Sequence, residues 1–128
     1  MRAIFYSNRG NEKLGEYRHM ISNLPKSLSA ECICNYDVFL KRLFMPKDDE
    51  TMVVYMVSSD DELTRLYQNR DILWNTRLVL VLNGRSRDTL YLAHRMYPRF
   101  IGYSDQRFED VGTVIKRIAD QSMAVGFQ

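Results

Sequence analysis

Scarcity is informative in this chain of 128 residues, which has two cysteines, three prolines, one tryptophan and six glycines. Cys32 and Cys34 sit two apart on one face of an expected strand, where a disulfide between them is strained. They read as reduced thiols in a cytosolic setting. Further ligands at metal spacing are missing, because His19 and His94 belong to separate expected helices. The pair therefore reads as packing, and no metal or cofactor is expected. Neither charge is in large excess: 18 Lys and Arg face 16 Asp and Glu, net +2, too little to argue for nucleic acid. The longest apolar run is the six residues from Met52 to Val57, far short of a membrane span. The first residues, Met1 to Tyr6, enter a strand-like run with no secretory pattern. Ser58 and Ser59 have no nucleophile elbow around them and His94 stands at an apolar helical position, so no triad can be built and no enzyme is expected. Linkers, repeats and low-complexity stretches are also missing, which leaves one domain over 1–128.

What is present is a rhythm. Leu78-Val79-Leu80-Val81-Leu82 is continuously aliphatic, the pattern of a central strand buried on both faces, and Asn83-Gly84 marks its exit from the core. Met52 to Val57 reads the same way. Ala3 to Tyr6 and Phe100 to Tyr103 are shorter strands, and Ala30 to Asn35 is a more polar, outer one. Between them lie helical spacings: Leu14, Tyr17, Ile21 and Leu24 before Pro25; Phe39, Leu40, Leu43 and Phe44, capped by Asp37. Ser59 to Glu62 has the capping-box pattern and opens a helix with Leu63, Leu66, Tyr67, Leu73 and Trp74 on one side. Ser86 or Asp88 opens one with Leu90, Ala93 and Tyr97. Phe108, Val111, Ile115, Ile118 and Ser122 line the last helix. Met45 to Glu50 is a polar connector, and most of the seven methionines read as core filler.

Strand and helix thus alternate five times. Short connections of this kind imply parallel strands joined by right-handed crossovers. The expected fold is α/β: a five-stranded doubly wound parallel sheet in flavodoxin-like order 2-1-3-4-5, in three α/β/α layers. Ligands in such folds bind outside the carboxyl ends of the strands. Here those ends are Ser7-Asn8-Arg9-Gly10, Ser58-Ser59-Asp60, Asn83-Gly84-Arg85 and Ser104-Asp105-Gln106-Arg107.

Tyr103, Gln106 and Phe108, followed by a helix with Val111, Ile115 and Ile118, resemble the end of a response-regulator receiver domain, which reads Tyr-x-x-Lys-Pro-Phe. Asn83-Gly84 stands where receivers end the fourth strand with Thr or Ser and a small residue. The length and the five-fold alternation agree over the whole chain. The departures fall on the chemistry. Receivers place two acidic residues after the first strand to hold magnesium, and here that loop is Ser7-Asn8-Arg9. The phosphoacceptor position falls on Val57, Ser58 or Ser59. Gln106 replaces the lysine. Phosphoryl transfer to a carboxylate needs the metal and a cation where charge develops. The resemblance therefore implies a pseudo-receiver whose degenerate positions are Ser58, Asn83 and Gln106. Asp60 comes late and suits the first turn of a helix, where the macrodipole favours a carboxylate.

A second resemblance is to the phosphate loop of flavodoxins, over Tyr6 to Glu12. Ser7, Asn8, Gly10 and Asn11 would cradle the phosphate of FMN through backbone amides, and Trp74 and tyrosines would be stacking partners. Against it, Arg9 and Glu12 replace hydroxyl residues, and a polar turn before a helix explains the same letters.

Basic residues crowd the last third of the chain: Arg85, Arg87, Arg95, Arg99, Arg107, Lys116 and Arg117. Asp105, Glu109 and Asp110 interrupt them, which disfavours nucleic acid. Receivers use the face of the fourth helix, fifth strand and fifth helix for dimers and partners. By resemblance the expected interaction face holds Arg95, Tyr103, Asp105, Arg107, Lys116 and Arg117, with Leu92 or Met96 as apolar surface. The expected function is a non-catalytic protein-interaction module in cytoplasmic signalling or regulation, binding a protein partner or itself as a homodimer. The alternatives are an FMN-binding electron carrier and a small-molecule or nucleotide sensor using the strand-end crevice.

Overall fold

The computed structural model describes residues 1–45 and 50–126, the side chains of 122–126 excepted. The elements follow in the order β1 (Arg2–Ser7), α1 (Leu14–Ser22), β2 (Ser29–Ile33), α2 (Tyr36–Phe44), β3 (Thr51–Met56), α3 (Asp60–Gln68), a short 3-10 turn (Arg70–Leu73), β4 (Thr76–Leu82), α4 (Arg87–His94), β5 (Phe100–Tyr103) and α5 (Phe108–Gly126). All strands are parallel, in the order β2-β1-β3-β4-β5. This is the doubly wound flavodoxin-like sheet in three layers that the alternation implied. The connector expected from Met45 to Glu50 lies, at 46–49, outside the described residues, as does the side chain of Ser122.

Because strand side chains alternate between faces, the two central strands divide the core cleanly. Met52, Val54, Met56, Val79 and Val81 face one layer with Phe5, meeting Tyr17 and Met20 of α1 and Phe108, Val111 and Ile115 of α5. Val53, Tyr55, Leu78, Leu80 and Leu82 face the other with Ile4 and Tyr6, meeting α2, α3 and α4 through Phe39, Leu63, Leu66 and Ala93. β3 is buried at every position, which is what a strand covered by helices on both faces requires. Gly102 in β5 lets α5 close in: a Cβ there would stand 3.3 Å from both Val111 and Phe100.

Local chemistry sets the boundaries, with three departures from the sequence reading. Ser59 and Ser86 cap α3 and α4 by accepting from the Glu62 and Thr89 amides. α2 is capped by Asn35, not Asp37: the Asn35 side chain accepts from Val38 N–H, and Asp37 falls in the first turn. α3 ends at Gln68, and Trp74 emerges after the 3-10 turn with 75% of its surface exposed. Of the residues expected as apolar surface, Met96 is buried and Leu92 half-buried, while Tyr91 and Tyr97 are exposed.

Candidate functional site

The doubly wound order reverses at β1 and β3, so the crevice for a ligand opens where their carboxyl ends part. Tyr6 and Tyr55 are register partners here, and their rings stack at 4.5 Å and 19°. Phe39 of α2 packs on both, 5.1 and 5.3 Å from their centroids. The crevice floor is therefore filled with aromatic rings.

Its rim is tied together by its own side chains. Asn11 Nδ2 donates to Ser58 Oγ at 2.8 Å, joining the loop after β1 to the end of β3. Asn8 Oδ1 accepts from Gly10 N–H and Asn11 Oδ1 from Lys13 N–H. Asn11 N–H donates to the Asn8 carbonyl and Leu14 N–H to the Asn11 carbonyl. Buried Ser7 spends its hydroxyl on the Asn8 carbonyl. Two backbone donors of the loop that was matched to a phosphate cradle, Gly10 and Asn11, and two just after it, Lys13 and Leu14, are thus occupied by Asn8 and Asn11. A phosphate would have to displace these bonds.

One carboxylate reaches the crevice, from a residue that sequence reasoning assigned to capping alone. Glu62 is 6% exposed. Its amide bonds Ser59, as a capping box requires, but its carboxylate turns inward toward Tyr55, Asn8 and the Ser58 backbone. Burial pushes its pKa up, against the Tyr55 hydroxyl, the charge of Arg65, the Ser58 amide and Asn8, which lower it. Among the described residues, neither Tyr55 Oη nor Glu62 Oε1 makes a hydrogen bond of normal geometry. Tyr6 is pushed up to about 12 by burial, then by the Glu62 charge, and Tyr55 is raised for the same two reasons. Nothing local in the sequence signals this, because the capping box already accounts for a glutamate at 62.

Asp60 is exposed in the first turn of α3, and its Oδ1 accepts from the Thr89 hydroxyl at 3.1 Å. It braces α3 against α4. Asn83 and Gln106 are both exposed at their strand ends.

The residues grouped as one interaction face fall into two settings. Around α4 and β5, the Arg85 guanidinium lies 3.9 Å over the Tyr103 ring and holds Asp105 through two bonds of 2.8 and 3.1 Å. Hydrogen bonding to Arg85 lowers the Asp105 pKa. Arg95 lies over the Tyr91 ring at 5.8 Å. Tyr97 follows at the end of α4, 86% exposed, with φ 52°. The following Pro98 disfavours the right-handed helical region at this position. Arg107, paired with Glu109, and Lys116 instead line a groove of about 640 Å³ between α1 and α5, floored by Met20, Leu24 and Phe108. Arg117 is exposed on α5.

The cysteines are not packing residues. Both are free, Cys32 exposed and Cys34 half-buried, and Arg18 of α1 donates to Cys34 Sγ at 3.5 Å. Among the described residues no three His, Cys, Asp or Glu side chains converge as metal ligands, and no helix is long and apolar enough to cross a membrane.

Neither a protein-family model nor a curated protein matches this sequence. Among solved structures, the chain is similar to a Burkholderia pseudomallei protein described as pilus assembly-related, whose crystal structure was determined at 2.50 Å. The two share 16% identity at a TM-score of 0.64, over 94% of this chain and 90% of that one. At this identity the likeness is one of fold.

Proposed function

We propose that the chain is a receiver-like interaction module of signalling or regulation that works without aspartyl-phosphate chemistry, through the α4–β5 face. The observation that carries this reading is Tyr97. A bulky residue in the left-handed region costs about 1–2 kcal/mol, and here it packs so little that 86% of it faces solvent. Strain without packing gain points to a role outside folding. Nearby in the chain, Tyr91 is 60% exposed with the Arg95 guanidinium over its ring. Tyrosine and arginine are the side chains that most often anchor interfaces.

The crevice supports the same reading by what its residues do. Asn8 and Arg9 stand where a receiver has its acidic pair, and Asn11 and Ser58 close the rim on each other. Gln106 offers no cation. An FMN carrier would need the loop amides that the loop itself consumes.

The test is light scattering and partner capture with the native protein and an Arg95→Glu/Tyr97→Ala variant. Association that weakens at least tenfold in the variant supports the reading. A native monomer whose partner binding the variant leaves untouched defeats it. A parallel incubation with a small phosphodonor and magnesium should add no phosphate mass; a phosphate lost on Asp60→Asn would defeat the reading of a module without aspartyl-phosphate chemistry.

A further inference from the structure

The edge strand β2 carries a feature that the crevice and the α4 face leave unused. Cys32 is its fourth residue and Cys34 follows its last. The chain remains extended beyond it, with Asn35 at φ −118° and ψ 126°. Alternate strand residues point the same way. Cys32 is the register partner of Phe5, which faces the α1–α5 layer, so both thiols lie on the side of α1. Arg18 of α1 confirms the direction, since its guanidinium donates to Cys34 Sγ at 3.5 Å and also lies beside Cys32. Two thiols and one cation therefore share an accessible patch at the sheet edge.

Geometry separates what this pair can do. Alternate residues of a parallel strand stand about 6.6 Å apart, at about 3.3 Å per residue. A disulfide needs Cβ atoms about 3.8 Å apart, so joining the two sulfurs directly requires the backbone to bend. An ion bridging them does not: with metal–thiolate bonds of about 2.3 Å it holds sulfurs up to about 4.6 Å apart. Two side chains leaning toward each other reach that separation. Ions that need three or four donors find too few here. Soft thiolates suit Cu(I), zinc and iron–sulfur clusters; zinc and the clusters take four ligands, whereas Cu(I) is satisfied by two.

We propose that Cys32 and Cys34, with Arg18 beside them, form a two-coordinate site for a soft monovalent ion of the Cu(I) class. Each thiol gives its proton to solvent, two S–Cu bonds form, and no electron is transferred. Two thiolates and one Cu(I) leave a net charge of −1, which the Arg18 guanidinium balances. The exposed position of Cys32 gives the ion a direct path from solvent.

The experiment is an anaerobic titration of the reduced full chain with cuprous ion against a chromophoric cuprous chelator, with released protons counted at fixed pH. One equivalent bound against the chelator, with up to two protons released according to how far the thiols are already ionised, is the expected result. Cys32→Ser and Cys34→Ser should each lose the competition, and Arg18→Gln should weaken binding about tenfold. Far-ultraviolet dichroism checks each fold, and alkylating the native thiols before titration gives a readout that needs no variant. Native-like binding by the Cys32→Ser/Cys34→Ser variant, or by the alkylated protein, overturns the site. Native affinity in either single variant overturns the two-thiol geometry.

Discussion

The β1–β3 crevice and the α4–β5 face differ in where their side chains find partners. At the crevice the side chains look inward: Tyr6, Tyr55 and Phe39 fill the floor, and at the rim Asn11 bonds Ser58 while Asn8 takes the Gly10 amide. At the face they look outward, with Tyr91 and Tyr97 mostly in solvent and Arg95 between them in sequence. A fold of this kind ordinarily works at the crevice. Here a side-chain bond spans the crevice rim, and two exposed aromatic rings lie on α4 and just beyond its end.

The difference is sharpest in stability. Tyr55 is fully buried and stacked on Tyr6, so Tyr55→Ala should cost about 3–5 kcal/mol through the cavity it opens. Tyr91→Ala should stay within about 0.5 kcal/mol of the native protein. Denaturant midpoints of the two variants check this. Equal losses would mean that the α4 surface is structural, and the contrast would collapse.

How much of this was readable in the letters depends on whether local pattern or distant contact decides. The unbroken apolar runs of β3 and β4 read as strands covered on both sides, and the five-fold alternation of strand and helix gave the sheet order. Ser59 was readable as a cap, and Ser86 as one of two candidates with Asp88, because a cap is a matter of three residues. Asn35 was missed in favour of Asp37 because both are good capping residues and only the backbone decides between them. Glu62 read as the closing member of a capping box, since nothing local tells that its carboxylate turns toward Tyr55 and Asn8, residues brought there by other strands. Arg18 beside Cys34 is hidden for the same reason, 16 positions away in sequence. Lys116 and Arg107 shared a basic stretch with Arg95, yet the groove they line belongs to the α1 side.

The buried carboxylate gives the second way to test the closed crevice. Burial raises the Glu62 pKa above its ordinary value, so the folded protein keeps that proton at a pH where the unfolded chain has released it. Stability tied to Glu62 is complete below the ordinary glutamate range and falls as pH rises through the raised folded value. Glu62→Gln keeps the shape without ionising. Its melting temperature should match the native protein at the acid end and exceed it increasingly toward neutral pH. The groups that face Glu62 are Tyr55, Tyr6, Tyr36, Arg65 and Asn8, and none of the tyrosines ionises in that range. A constant offset between the two melting curves at every pH would show that Glu62 is not the titrating group.

The effect expected at Tyr97 is small, and its sign matters more than its size. Replacing Tyr97 with glycine removes the left-handed penalty of about 1–2 kcal/mol. The same change loosens the unfolded chain, which takes back about 0.4–1 kcal/mol. An 86% exposed ring has little packing to lose. The sum is a Tyr97→Gly protein as stable as the native one, or more stable by up to about 1.6 kcal/mol. If the face works through this ring, the same variant should associate more weakly while folding at least as well. That combination is what a residue kept for contact produces, because its strain is then justified only in the complex. A loss of more than about 1 kcal/mol would instead place the ring against the protein in solution. Unchanged association at native stability would remove Tyr97 from the face and leave Tyr91 and Arg95 to carry it.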